Sequence, residues 1–198
     1  LMDQVAFHAL SSSIELRAVK VQSDPSDAHV ESTNIKKLST KELFDSGPGN
    51  FDLIGGTAWL FSKADAVGML DYLFVDEAGQ VSVANLVGIA PSARNLILIG
   101  DQMQLAQPLL GTHPGESGQS VLEYLLRDQQ VIPDDFGIFL SRTWRMHPTV
   151  CSFISGAIYE DRLQPEPVTE QRFLQVPSAL ENCMLKSSGI RYIPVMHE

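Results

Sequence analysis

Two apolar runs that stop abruptly at acidic and amide side chains constrain this chain more than any other feature. Residues 72–80 read Y-L-F-V-D-E-A-G-Q, and residues 96–105 read L-I-L-I-G-D-Q-M-Q-L. Near-continuous apolar runs of this kind predict strands buried on both faces of a parallel sheet. In open α/β sheets, ligands sit at the carboxyl ends of the strands. Two neighbouring strands ending this way would set Asp76, Glu77, Asp101 and Gln104 along one rim. Adjacent Asp and Glu at a strand end suit nucleotide hydrolysis. One carboxylate holds Mg²⁺ through water, and the other orients and deprotonates the attacking water. A lone Asp-Glu pair has a simpler reading as a solvated strand end and helix cap, because acids favour the first turn of a helix. A second such end one crossover later is hard to obtain by chance.

The rest of the pattern agrees with an α/β fold. Residues 81–90 lie between the two runs and predict the crossover helix. Further strands are predicted at 16–21, 51–57, 137–140 and 189–196, and helices at 1–10 and 40–44. Val121, Leu122, Leu125 and Leu126 mark another helix, and Pro148 opens the last one, since proline suits the first helical turn. The apolar face of that helix is Val150, Cys151, Phe153, Ile154, Ile158 and Tyr159. Residues 22–50 read as polar loop around the short helix, 108–118 as a glycine- and proline-rich loop, and 164–178 as an irregular connector. Strands that alternate with helices give a parallel sheet flanked by helices.

Of the 198 residues, 44% are hydrophobic and 19% charged, enough for a sizeable core and against disorder over most of the length. No apolar run approaches the roughly 20 residues of a membrane span. The chain opens on Leu1 without a basic leader and reads as a piece of a longer polypeptide. The net charge of −10 argues against a nucleic-acid module built on a broad basic face, though not against a groove with a few polar contacts. Neither Cys151 nor Cys183 lies in a metal-binding pattern; Cys151 predicts a buried free thiol, which suits a reducing, cytoplasmic setting. His147 is expected to cap the helix that follows it, and Lys36 and Lys37 to be a solvated pair on the polar loop.

A third block, residues 140–148, reads L-S-R-T-W-R-M-H-P. Singly, Arg145 is a surface arginine and Trp144 a core or interface aromatic. Together they offer a bidentate phosphate donor beside a flat ring able to stack on a base. D-E-A-G-Q at 76–80, G-D-Q-M-Q-L at 100–105 and W-R-M-H-P at 144–148 resemble, in order and spacing, motifs II, III and IV of superfamily 1 helicases. The subgroup is the 5′-to-3′ one, superfamily 1B, which includes the nonsense-mediated decay helicase. The resemblance continues through residues 154–159 and Leu163. G-G-T-A-W-L at 55–60 and H-P-G-E-S at 113–117 are similar in wording to bacterial helicases that carry a RecB-like nuclease in the same polypeptide.

The resemblance implies a RecA-like P-loop NTPase fold, truncated at both ends. Residues 1–139 would be most of the first motor domain and 140–198 the start of the second. It implies ATP and Mg²⁺ as cofactors. The partners would be single-stranded DNA or RNA and the remainder of the polypeptide, with a possible nuclease domain and no membrane. Asp76 would hold Mg²⁺ through water, Glu77 would be the catalytic base, and Gln80 would couple the ATP and nucleic-acid sites. Gln104 would contact the γ-phosphate with Asp101 supporting its loop. Arg145 would be an arginine finger, Trp144 would pack on the adenine, and Thr57 would lie on the nucleic-acid side. The sequence departs from the family in two places. It holds no G-x-x-x-x-G-K-[ST] phosphate loop, and Ala106 and Gln107 stand where prolines follow Gln-Leu. Two other readings stay open: an ATPase switch independent of nucleic acid, and a non-catalytic interaction domain.

Overall fold

The computed structural model describes residues 11, 14–22, 35–105, 111, 113–177, 186–192 and 194–196. The helix predicted over 1–10, Ala106, Gln107 and Cys183 lie outside the described residues. The chain packs as two compact units, Leu1–Tyr124 and Leu125–Glu198.

In the first unit, β1 (Ala18–Val21), β2 (Lys36–Leu38) and β3 (Leu53–Gly55) form a parallel sheet in the order β2-β1-β3. β4 (Leu70–Val75) and β5 (Ala93–Leu98) form a separate parallel pair. The helices are α1 (Thr40–Ser46), α2 (Ala58–Phe61) and α3 (Val83–Ile89), and α4 (Val121–Leu126) begins in this unit. Local chemistry sets their ends. Ser39 and Glu42 form a reciprocal capping box at the start of α1, and Gly47, at φ 80°, closes it in a conformation that favours glycine. Ser82 caps α3 by accepting from the Asn85 amide at 3.2 Å. Arg17 and Asp52 tie the starts of β1 and β3: Asp52 Oδ2 accepts from Arg17 N and Nε, and Oδ1 from Nη2 at 2.6 Å. Those bonds hold the Asp52 carboxyl far below the usual carboxylate range. One apolar cluster unites the unit, with Val19 and Leu43 fully buried among Leu60, Phe61, Leu73, Val75, Ile89 and Val121.

Three expectations change here. The described strands make a three-stranded and two two-stranded ladders rather than one continuous sheet. β4 is not buried on both faces: Leu73 and Val75 are buried, while Tyr72 and Phe74 are 58% and 57% exposed. Alternate side chains of a strand point to opposite faces, and the core covers one. Lys36 and Lys37 lie on strand β2, not on a loop, since Leu38 enters the core and β1 supplies a backbone edge.

In the second unit, β6 (Arg142–Thr143) pairs in parallel with β7 (Gln164–Pro165), and α5 (Pro148–Ile158) packs against β7. Cys151 and Thr169 are fully buried. Burial pushes the Cys151 thiol up. Phe153 is 60% exposed, so the apolar face predicted for α5 is turned inward only in part. The strand predicted at 137–140 is absent. The ladder begins only where Gln164 N donates to Ser141 O at 2.8 Å and Glu166 N to Thr143 O at 2.9 Å. Phe139 instead carries the Arg162 guanidinium over its ring at 5.2 Å, a cation–π contact. The described residues of 189–196 also form no ladder; a backbone bond from Leu174 N to Ser187 O precedes them. Among the described residues, no helix is long and apolar enough to cross a membrane.

Candidate functional site

β4 and β5 run in parallel with Val75 opposite Leu98, so both strands end at one edge. Their ladder continues past the strands. Ile99 N donates to Val75 O at 2.9 Å, and Ala78 N donates to Ile99 O at 2.8 Å. The two loops are thereby drawn together backbone to backbone. A Cβ on Gly79 would collide with the Asp101 carbonyl oxygen, and one on Gly100 would lie 2.8 and 2.9 Å from the nitrogens of Ala78 and Gly79. Glycine is required at both positions by this close approach. Asp76 and Glu77 on one loop, and Asp101 and Gln104 on the other, are brought to the same edge of the pair.

Glu77 adopts φ 54°, in the left-handed region that non-glycine residues rarely occupy. Its amide donates to Asp76 Oδ1 at 3.1 Å, and its carbonyl accepts from Gln80 N at 2.8 Å. Ala78 and Gly79 are buried while Asp76, Glu77 and Gln80 are exposed. Among the described residues, no hydrogen bond or ion pair engages the Glu77 carboxylate. Asp101 organises the second loop: Oδ1 accepts from Met103 N at 3.0 Å, and Oδ2 from Gln104 Nε2 at 3.1 Å. One N–H of the Gln104 amide is thus held and the other remains to donate.

Sequence reading missed a brace behind these loops. Val83 N donates to Gln119 O at 3.0 Å, Ala84 N to Ser117 O at 3.1 Å and Val121 N to Val81 O at 2.8 Å. Leu122 Cδ1 would lie 3.1 Å from a Cβ on Gly100. The signal was the S-V-L-E at 120–123, a capping pattern in which Ser120 Oγ accepts from Glu123 N. Thr57 belongs to neither loop. It precedes α2 at the end of β3, exposed, and its side chain makes no capping bond.

Trp144 and Arg145 belong to the second unit. Thr143 Oγ1 accepts from the amides of Arg145 at 3.2 Å and Met146 at 3.4 Å. His147 caps α5, its Nδ1 accepting from Thr149 N at 3.3 Å, and Pro148 takes the first turn. The side chains of Thr143 and His147 hold the turn locally. Trp144 is 65% exposed, and Arg145, also exposed, makes no ion pair among the described residues.

Among the described residues, no group of three or more His, Cys, Asp or Glu side chains converges to cage a metal ion. The carboxylates at the β4–β5 edge fit a different kind of ion. Mg²⁺ keeps several waters and takes one or two carboxylates together with phosphate oxygens, and Asp76 has one oxygen not used by the loop.

No protein-family model matches the chain. It is similar to the probable helicase MAGATAMA 3 of Arabidopsis thaliana, 32% identical over 97 residues, or 48% of this chain and 11% of that protein. It is similar also to the ATP-dependent helicase NAM7 of Saccharomyces cerevisiae, 33% identical over 103 residues, or 50% of this chain and 10% of that protein. The chain spans about a tenth of the length of the curated relatives it matches. Over the half of the chain that they cover, these similarities support a helicase-like relationship.

Proposed function

We propose that this chain is part of an ATP-dependent helicase or translocase of superfamily 1, moving 5′-to-3′ on single-stranded DNA or RNA. It would hold most of a RecA-like motor domain and the opening of a second. The observation that carries this reading is the parallel pairing of β4 and β5, which sets Asp76 and Glu77 beside Asp101 and Gln104 at one edge. The similarity to two helicases supports it at a coarser level.

Each residue has a role that its surroundings suit. Asp76 would hold Mg²⁺ through water with the oxygen its loop leaves free. The Mg²⁺ of bound ATP supplies neutralisation of phosphate charge. The Glu77 carboxylate, without a local partner, takes a proton from the attacking water. Gln104, steadied by Asp101, donates its remaining N–H to the γ-phosphate. Gln80 sits one tight turn from Glu77, placed to report nucleic-acid contact to the base. Arg145 stabilises charge that builds up during transfer, and Trp144 covers the adenine.

The test is the ATPase rate of the complete protein, with and without single-stranded DNA and RNA, over a salt series. Stimulation that fades as salt rises is expected, because neutralised phosphates release counterions. Hydrolysis indifferent to either strand would assign the chain to a nucleic-acid-independent switch. No hydrolysis at all would leave an interaction domain.

A further inference from the structure

The loops at the ends of β4 and β5 meet at one point, and a side chain from a third segment stands there. A Cβ on Gly100 would lie 2.8 Å from Ala78 N, 2.9 Å from Gly79 N and 3.1 Å from Leu122 Cδ1. Leu122 is therefore on the side of Gly100 that faces the other loop. It is buried with Ala78 in the same apolar cluster. The helix that carries it, α4, is pinned by its backbone to the exit of the loop that holds Asp76 and Glu77. Val121 N donates to Val81 O at 2.8 Å, and Val83 N to Gln119 O at 3.0 Å. Ser82 and Ser120 stand opposite each other in that bridge, and each caps its own helix. The far end of α4 is held elsewhere. The first unit ends at Tyr124, and the helix runs on to Leu126, which is buried and belongs to the second unit. Tyr124 and Leu125, between the two buried leucines, are exposed.

An ordinary core leucine packs on other side chains, and its loss costs stability alone. Leu122 packs on the backbone of a loop whose next residue, Asp101, holds the Gln104 amide. Across the junction, Ala78 directly follows Glu77. The junction has no slack, since Gly79 and Gly100 already approach more closely than a Cβ permits. A shift of Leu122 therefore changes the separation of the two loops, and with it the distance between the Glu77 carboxylate and the Gln104 amide. Coupling between distant sites is carried by packed side chains and rigid secondary elements. Here one short helix joins the junction to the second unit.

On the footing of the ATPase reading above, we propose that α4 couples the second unit to the two loops, with Leu122 as the positioning residue that bears on their junction. When the second unit is displaced, α4 follows through Leu126, and Leu122 tightens or loosens the approach of Gly100 to Ala78 and Gly79. The loops then hold Glu77 and Gln104 in register for hydrolysis, or out of it. A single strand that engages both motor domains reaches the ATP site by this route.

The experiment is a steady-state ATP titration of the complete protein, with and without saturating oligothymidylate, at a temperature where circular dichroism shows every variant folded. The variants are Leu122→Ala, Leu122→Met, Leu125→Gly and Leu125→Ala. Leu122→Ala is expected to lower kcat roughly 10²-fold, the scale of a ~1 Å misplacement, with KM for ATP nearly unchanged. Leu122→Met, close to leucine in volume, is expected to keep kcat. Leu125→Gly loosens the exposed middle of α4 and is expected to lose most of the stimulation by strand while keeping the rate without it. Leu125→Ala is expected to keep both. If Leu122→Ala does not fold, Leu122→Val replaces it, with a smaller fall that is again in kcat alone. A parent-like kcat in the folded Ala or Val variant, or a KM that rises as kcat falls, overturns the coupling and leaves the ATPase reading standing. So does a Met variant as slow as the Ala variant, or a strand response in Leu125→Gly equal to that of Leu125→Ala. Hydrolysis by the parent protein that strand does not stimulate also overturns the coupling. Absence of hydrolysis by the parent protein overturns the ATPase reading, and the coupling with it.

Discussion

The loops at the ends of β4 and β5 and the turn from Thr143 to His147 both hold side chains suited to phosphate chemistry, but they are built in opposite ways. In the loops, backbone meets backbone: Ala78 N bonds Ile99 O, and Gly79 and Gly100 leave no room for a Cβ. Even side chains expected to meet nucleotide serve the scaffold, as Asp101 does for Met103 and Gln104. In the turn, the Thr143 and His147 side chains accept the local amide bonds, and Arg145 makes no ion pair among the described residues while Trp144 is largely exposed. Positioning groups that act on their own loop are held in place by it.

The largest effect expected from this contrast is at Arg145. Arg145→Ala in the complete protein should lower kcat for ATP roughly 10³-fold or more, the scale of an arginine finger, with little change in melting temperature. A steady-state titration with saturating single strand measures it, and a kcat within twofold of the parent would return Arg145 to the solvated surface. Glu77→Gln should slow hydrolysis by at least ~10²-fold, typical of a lost general base, while nucleotide binding measured by calorimetry stays nearly intact. Normal turnover in that variant would remove Glu77 as the base.

The loops should respond in stability as well as in rate. Leu43→Ala, in the apolar core of the first unit, should cost about 2–5 kcal/mol in denaturant unfolding. Gly100→Ala should cost about 1–3 kcal/mol through forced overpacking and lower kcat with it; a neutral result would mean that the loops are not packed as described. Trp144→Ala should instead raise KM for ATP with kcat kept, the signature of lost ground-state binding. The smallest effect is acidic. The Asp52 carboxylate is depressed by its bonds to Arg17, so its contribution is present above the ordinary carboxylate range and is lost as pH falls through and below it. A pH series of melting temperatures should show a slightly weaker acid dependence for Asp52→Asn than for the parent.

Much of the site was legible in one dimension because its chemistry is local. The acidic ends of two apolar runs, the proline at 148 and the histidine cap all act within a few residues, and propensity and hydrogen bonding settle them there. Cys151 could be placed inside because apolar neighbours at helical spacing surround it. The sequence by itself therefore determined the α/β alternation, the loops at the ends of β4 and β5, and the identity of the groups they carry. Tertiary structure alone decided which strands found a partner. It put Lys36 and Lys37 on a strand, left Tyr72 and Phe74 in solvent, and gave Phe139 to Arg162 rather than to a ladder. It also decided that Gly79 and Gly100 meet across two loops, since pairing and close approach join residues distant in the chain, and no local preference encodes which distant edge will be there.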